Sequence, residues 1–438
     1  MARQMKDSGV EWIGQIPEDW DVARLCDIKS EKKFAIVDGP FGSAISTNDY
    51  REKGVPLIRI SNLKNGEVSD EDMVYISEEL AESVRRSCIG LSDIVFAKTG
   101  ATIGKCGINR LIKYGILASS CIKISISHKY NCDYFYYIFS TDQFNQALRN
   151  TCTGTTRDTI NLTPFSKLNV LLPPYCIQNR IASYLDHKCS QIDAIIARQQ
   201  EVIEKLKAYK LSVISEAVTK GLDPNVPMKD SGVEWIGSIP EGWETASISR
   251  VATVVRGASP RPAGDPRYFN GQDVPWITVA EVTKDDGKYI TSTEGYLTEE
   301  GAKYSRRVEK GTLLLSNSGA TLGVPKVTLI TGCINDGSVA FLNLKIDQMY
   351  LLYVFKSRTL ELRKQMQGYG QPNLNTTIIK SIVIPLPQPD EQKSICMYLD
   401  NRCKAIDNAI AIKEKIVSRL VEYKKSLIYE VVTGKKEV

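Results

Sequence analysis

Histidine is almost missing: His128 and His187 are the only two in 438 residues, and both fall in the first half. The eleven cysteines contain no Cys-x-x-Cys pair, so the spacing of a structural zinc site is lacking. Eight of them precede residue 190, which leaves the two halves without a shared disulfide framework. Reduced thiols packed as small hydrophobes are expected. No apolar run approaches the ~20 residues that a membrane helix needs. The opening Met-Ala-Arg-Gln-Met-Lys-Asp has no apolar stretch of the signal-peptide kind. A cytoplasmic protein with no membrane association is the expectation. A catalytic Ser/His/Asp or Cys/His set is not credible with histidine confined to one half. What is present is ordinary for a globular chain: 42% hydrophobic and 24% charged residues, with 56 Lys plus Arg against 51 Asp plus Glu. A net charge of +5 permits nucleic-acid binding without arguing for it alone. The length suggests two or three domains.

The chain is written twice. Residues 5–20, MKDSGVEWIGQIPEDW, return at 228–243 as MKDSGVEWIGSIPEGW, with fourteen of sixteen positions identical. A second block returns at an offset of 214: Tyr184-Leu185-Asp186 as Tyr398-Leu399-Asp400, Ile192-Asp193 as Ile406-Asp407, and Tyr209-Lys210 as Tyr423-Lys424. Between the blocks the halves agree only sparsely, as in Gly100-Ala-Thr-Ile-Gly104 and Gly319-Ala-Thr-Leu-Gly323. One frame is used twice and carries two divergent inserts.

The second block reads as a coiled-coil seam. Steps alternating four and three from Ile181 reach Leu185, Lys188, Ile192, Ile195, Gln199, Val202, Leu206, Tyr209 and Val213. The same steps from Ile395 reach Leu399, Arg402, Ile406, Ala409, Lys413, Ile416, Leu420, Tyr423 and Leu427. That is the 3.5-residue period of helices packed side by side. Ile181, Leu185, Ile192 and Leu206, with Ile395, Leu399, Ile406 and Leu420, are the expected helix–helix packing residues. About forty helical residues span roughly 60 Å, and an apolar stripe of that length needs a partner. The other copy is the nearest one. A two-fold relation between repeats would set the two helices antiparallel.

The inserts, 22–172 and 245–386, hold short β-rich runs such as Val55–Ile60, Ser92–Ala97, Val274–Val279 and Val339–Leu344. Helical stretches follow them, which predicts a half-closed sheet with helices to one side. The fold class is mixed α/β. Gly100-Ala-Thr-Ile-Gly104-Lys105 is no phosphate loop: three residues separate its glycines instead of four, and Cys106 follows the lysine. Leu172-Pro173-Pro174-Tyr175 lacks the Asn or Asp acceptor of an amino-methyltransferase loop. Pro389-Asp390-Glu391 reads as a helix N-terminus. The four tryptophans of the repeated frame, Trp12, Trp20, Trp235 and Trp243, are assigned to packing, since an invariant segment cannot read a variable target.

Ser-Gly-Val-Glu-Trp-Ile-Gly-x-Ile-Pro-Glu-x-Trp opens each half, and each closes with a Pro-rich turn and a helix reading Ile-x-x-Tyr-Leu-Asp-x-x-x-x-x-Ile-Asp. Over essentially its whole length the chain resembles the DNA-specificity subunit of type I restriction–modification systems. One departure is Ile177-Gln178-Asn179, where the second half keeps Glu391-Gln392. The resemblance implies two target-recognition domains, each reading half of a bipartite double-stranded DNA site. Two long antiparallel helices forming a coiled coil would join them, set the gap and dock methyltransferase subunits. The implied division is 1–172 for the first target-recognition domain with its repeated segment and 173–221 for the first spacer helix. Residues 222–386 would form the second domain with its repeated segment, and 387–438 the second helix and tail. S-adenosylmethionine, ATP and magnesium would sit on partner subunits, the ATP-dependent restriction subunits among them. No cofactor, metal or catalysis is expected of this chain. Candidate DNA-contacting donors are Arg59, Lys98, Lys105 and Arg157 in the first insert. In the second they are Arg256, Arg261, Asn317, Lys326 and Gln371, because Arg suits guanine and Asn or Gln suits adenine. Two rival readings are a scaffold whose inserts bind something other than DNA and a self-contained adenine methyltransferase or nuclease. The missing motifs count against the second rival.

Overall fold

The structure, a computed structural model, describes residues 4–42, 44–152, 158–319, 321–365 and 373–438. Two compact units emerge: Met1–Gln199 with Lys415–Val438, and Gln200–Glu414. Packing therefore cuts across the sequence blocks, because each long helix contributes to both units.

In the first unit the repeated opening segment folds as a hairpin that pairs Met5–Asp7 with Gln15–Pro17. A two-stranded clasp then draws the ends of the insert together, Asp21 opposite Leu172 and Arg24 opposite Asn169. The insert holds two sheets rather than the single half-closed sheet expected. The larger runs Ile36–Asp38, Cys121–Ser125, Asp93–Ala97, Cys106–Ile108, Glu67–Val68, Leu63–Lys64. The smaller runs Val74–Ile76, Val55–Ile58, Gly115–Leu117, Cys88–Ile89. Strands Asp93–Ala97 and Cys121–Ser125 are buried at every position, which is why Ile94-Val95-Phe96-Ala97 reads as an unbroken apolar run rather than an alternating one. Their two charged residues, Asp93 and Lys123, meet at 2.7 Å, as charges taken out of water must.

The second unit repeats this plan. Met228–Asp230 pairs with Ser238–Pro240, and Glu244–Ser247 clasps Val383–Leu386. A five-stranded sheet runs Thr253–Arg256, Ser338–Leu342, Leu313–Ser316, Pro325–Thr328, Tyr289–Ile290. A four-stranded one runs Gly295–Leu297, Phe269–Ile277, Gly332–Ile334, Arg306–Val308.

The long helices are Tyr175–Lys220 and Pro389–Val432, of 46 and 44 residues. Proline opens the second, where its missing N–H costs nothing. Within each unit the two helical segments run antiparallel. In the first, Lys424 Nζ meets Asp193 at 2.6 Å, and Tyr134 donates its hydroxyl to the carbonyl of Val432 near the end of the second helix. In the second, Lys210 Nζ meets Asp407 at 2.6 Å, and Tyr350 donates to the carbonyls of Val218 and Pro385. Each unit is thus completed by the last turns of the helix that begins in the other half of the sequence. Gly434 and Gly221 end the helices at φ +71° and +76°. A Cβ on Gly434 would stand 2.6 Å from the ring of Pro17.

The eight expected packing residues divide clearly. Ile181, Leu185, Ile192, Ile395, Leu399 and Ile406 are buried, while Leu206 and Leu420 are half-buried. The phase of the seam differs from the expectation. From Leu185 the inward positions are Cys189, Ile192, Ile196, Gln199, Ile203, Leu206, Lys210 and Val213, with Ile195 and Tyr209 exposed. Cys403, Val417 and Lys424 replace the exposed Arg402, Ile416 and Tyr423 in the same way, while Ala409 and Ile410 are both half-buried. The physical reason is that Cys189 and Cys403 are small enough to lie inside. Lys210 and Lys424, for their part, lay apolar stems across the seam and carry their ammonium groups to an aspartate beyond it.

Trp20 and Trp243 are buried. Trp12 packs edge-on against Phe144 at 5.8 Å, and Trp235 lies under the guanidinium of Arg358 at 4.4 Å. All four tryptophans of the frame pack. All eleven cysteines are free thiols. Burial pushes Cys106 and Cys121 up to about 12, well away from the thiolate form that reacts.

Candidate nucleic-acid interface

In each unit the ends of several strands converge on one cleft. In the first, strand Ile36–Asp38 runs directly into Gly39-Pro40-Phe41-Gly42. Gly39 donates its N–H to the carbonyl of Cys121, and a Cβ on Gly39 would lie 1.9 Å from the carbonyl oxygen of Ala118. Only glycine allows the backbone to pass there. Lys98 follows strand Asp93–Ala97; its N–H donates to Ser120 and its carbonyl accepts from Ile160. The Asp38 carboxylate collects two cations, Lys98 Nζ at 2.6 Å and Arg86 Nη2 at 3.1 Å. Ser87 donates its hydroxyl to the Asp38 carbonyl. Phe41, Arg86, Lys98 and Ser119 line a cleft of about 330 Å³. Phe41 stands out of it at 89% exposure.

The second unit places the same backbone around different side chains. Gly257 follows strand Thr253–Arg256, and a Cβ there would lie 2.0 Å from the carbonyl oxygen of Asn335. Asn317 donates its N–H to Gly337 and accepts from Leu374. Thr99 bridges Thr159 in the first unit, and Ser318 bridges Asn373 in the second. Gly39 thus corresponds to Gly257, and Lys98 to Asn317. Asp336 is the hub here. Its carboxylate accepts from Ser259 at 2.6 Å and from Arg261 at 3.3 Å, and its carbonyl accepts from Arg256 at 2.9 Å. The cleft, about 350 Å³, is lined by Arg256, Ser318, Asn335, Asp336, Gly337 and Asn373.

Four of the donors expected from sequence, Lys98, Arg256, Arg261 and Asn317, therefore belong to these two equivalent places. Arg59 neighbours the first cleft, since the preceding carbonyl, that of Ile58, accepts from Ala118. Its guanidinium donates to the Asp72 carbonyl and lies over the ring of Tyr50 at 5.8 Å. Lys105 is exposed in a separate depression with Asn145 and Arg149. Lys326 lies apart from both clefts. It is 1% exposed, with its ammonium 2.6 Å from Asp285, so reaching a phosphate would mean breaking a pair from inside a sheet. Asn317 is also wholly buried, at 0%, and among the described residues neither its Oδ1 nor its Nδ2 has a hydrogen-bond partner. Such an amide costs about 1–3 kcal/mol per unmet group. Arg157 and Gln371 lie outside the described residues.

Sequence reasoning passed over Phe41, Arg86, Ser259, Asn335 and Asp336. Two of these had a signal: Asp-Gly-Pro-Phe-Gly and Arg-Gly-Ala-Ser each follow a strand, and glycine after a strand marks close backbone approach. Arg86 and Asp336 gave none, because only folding brings them to partners 48 and 80 residues away. Among the described residues no group of three or more His, Cys, Asp or Glu side chains could hold a metal ion, and no helix is long and apolar enough to cross a membrane.

Residues 17–205 and 240–420 match the family described as the type I restriction modification DNA specificity domain. The chain is 27% identical to the type I restriction enzyme MjaVIII specificity subunit of Methanocaldococcus jannaschii, over 97% of this chain and 94% of that one. It is 24% identical to the EcoBI specificity subunit of Escherichia coli, over 94% and 86% respectively. Among solved structures, the fold is similar to a chain described in work on complex assembly and conformational transition of the type I R-M system. That match has a TM-score of 0.74 at 16% identity and covers 96% of this chain and 99% of the other. The HsdS subunit from Thermoanaerobacter tengcongensis aligns with a TM-score of 0.52 at 16% identity, over 96% and 98%.

Proposed function

Because the chain belongs to the type I restriction modification DNA specificity family, we propose that each unit reads one half of a bipartite double-stranded DNA site. The long helices set the gap between the halves and dock methyltransferase subunits. The observation that carries this reading is the reciprocal frame. The same aspartate–lysine pair and the same tyrosine-to-carbonyl bonds recur in both units, while the clefts at equivalent strand ends differ residue by residue.

Lys98, Arg86 and Arg59 in the first unit, and Arg256 and Arg261 in the second, are the donors nearest the clefts; Asn317, wholly buried, would have to be uncovered to join them. Lys105 suits a phosphate, being exposed and beside Arg149. Phosphate contacts position such a protein, and base-edge contacts specify its site. The chain supplies recognition, and methyl transfer and ATP-driven work belong to methyltransferase and restriction subunits. S-adenosylmethionine, ATP and magnesium bind on those partners, in the cytoplasm. Two reading modules on a stiff spacer bind tightly only to half-sites at the matching separation.

The test is to insert seven residues into each long helix, which keeps the heptad phase. At 1.5 Å per residue the helices lengthen by about 10 Å, so the methylated site should show a gap longer by about three base pairs. An unchanged gap in the mapped methylation pattern would sink the ruler.

A further inference from the structure

Phe41 is the most exposed large apolar side chain among the described residues; Met397 follows at 68%. Water does not hold it there. Burying a phenylalanine gains about 1.5–3 kcal/mol, and a free loop would fold the ring back onto the cleft wall. The backbone leading to the ring is not free. Gly39 is wedged against the Ala118 carbonyl, Pro40 fixes its own φ, and Ala44 donates its N–H to the carbonyl of Phe41 at 2.8 Å. The cations of Arg86 and Lys98, oriented by Asp38, line the same cleft as the ring.

The second unit does the opposite at this place. Counting from the equivalent glycines, Phe41 corresponds to Ser259, whose hydroxyl is tied to Asp336. The frame therefore does not need an aromatic here. A projecting ring beside cations and close-approach backbone suits a polyanion that also offers apolar surface, which describes duplex DNA. We infer that Phe41 is a specificity-determining residue of the first unit, packing on the apolar surface of one base in its half-site. That surface is either the C5 methyl of thymine or a ring opened at a base step. The inference rests on the half-site reading above and narrows it to one residue.

The test uses the full chain assembled with its methyltransferase subunits. DNA duplexes are varied one position at a time in both half-sites. Phe41→Ala should relax preference at one or two adjacent positions of a single half-site and weaken cognate binding roughly 10-fold, about 1.4 kcal/mol. The other half-site and the slope of affinity against salt should stay as they were, because no phosphate contact is lost. Replacing thymine by uracil at the affected position separates the two sources. If wild type loses affinity and Phe41→Ala does not, the methyl is the contact; if neither responds, it is the opened ring. The exposed position makes misfolding avoidable, and an unchanged melting temperature verifies that. Unchanged preference in both half-sites, a uniform loss with an altered salt slope, or a defect confined to methyltransferase assembly would each overturn the assignment. If wild type itself shows no bipartite preference, the half-site reading has failed first.

Discussion

The two units share a frame and disagree at the cleft. Gln178 donates to the Pro173 carbonyl and accepts from the Asn131 N–H, while Gln392 donates to Pro387 and accepts from the Asp347 N–H. Tyr137 donates to Asp186, and Tyr353 to Asp400. At the strand ends, by contrast, the first unit has Asp38 holding Lys98 and Arg86, and the second has Asp336 holding Ser259, Arg261 and Arg256. Even within the frame one change is visible. Trp243 donates its indole N–H to Glu391 at 2.8 Å, and Ile177, at the corresponding place in the first half, offers no acceptor. Buried networks whose partners come from distant parts of the chain tolerate little change, since losing one partner strands the other. A cleft open to solvent carries no such penalty, so its side chains can diverge while the backbone stays.

The comparison can be broken most forcefully in the frame. Leu185 and Leu399 occupy equivalent positions at 0% exposure. Leu185→Ala and Leu399→Ala should each cost about 2–5 kcal/mol, by similar amounts, in denaturant unfolding. Clearly unequal losses would show that the frames are alike in sequence but not in packing.

A smaller effect sharpens the difference between units. Lys356 of the second unit donates to the Asp286 carbonyl at 2.8 Å. Burial first, and the nearby Lys210 second, bring its pKa down to about 8. The unfolded lysine titrates near 10.4. Below pH 8 both states carry the proton, and the folded one bears the full penalty. Between pH 8 and about 10.4 the unfolded state binds more protons, so this contribution makes the second unit more stable as pH rises. Lys356→Met should stabilise that unit at pH 7 by on the order of 1–3 kcal/mol and flatten this rise. An equal slope in wild type and variant melting curves would refute the assignment.

The least effect is expected at the exchanged pairs. Asp193 and Asp407 are mostly exposed, so Asp193→Asn should cost only about 0–1 kcal/mol, as should Asp407→Asn. A loss of several kcal/mol in either variant would mean the pair is held far from solvent.

The frame was legible because repetition exposes it: the hairpin and the helices fall on the repeated blocks, whereas the clasp strands lie just outside them. The seam's phase was not legible, because Ile195 with Ile196 and Val202 with Ile203 offer apolar residues in both phases. Cys189 and Lys210 decide between them by size and reach. Lys326 looked like a surface donor because a sequence does not show that Asp285 waits beside a buried strand. Lys98, Arg256 and Arg261 are visible in the sequence as cations near glycines, whereas the aspartates that orient them, Asp38 at a strand end and Asp336 in a turn, lie far off in the chain.

The two-stranded clasps have a consequence for how such a protein changes its target. In both, the chain enters and leaves the insert through four matched residues in the same antiparallel register. Whatever lies inside meets an identical doorway, so an insert can be exchanged as a cassette without disturbing the rods outside. New reading heads can thus arise by recombination at two short ribbons of backbone.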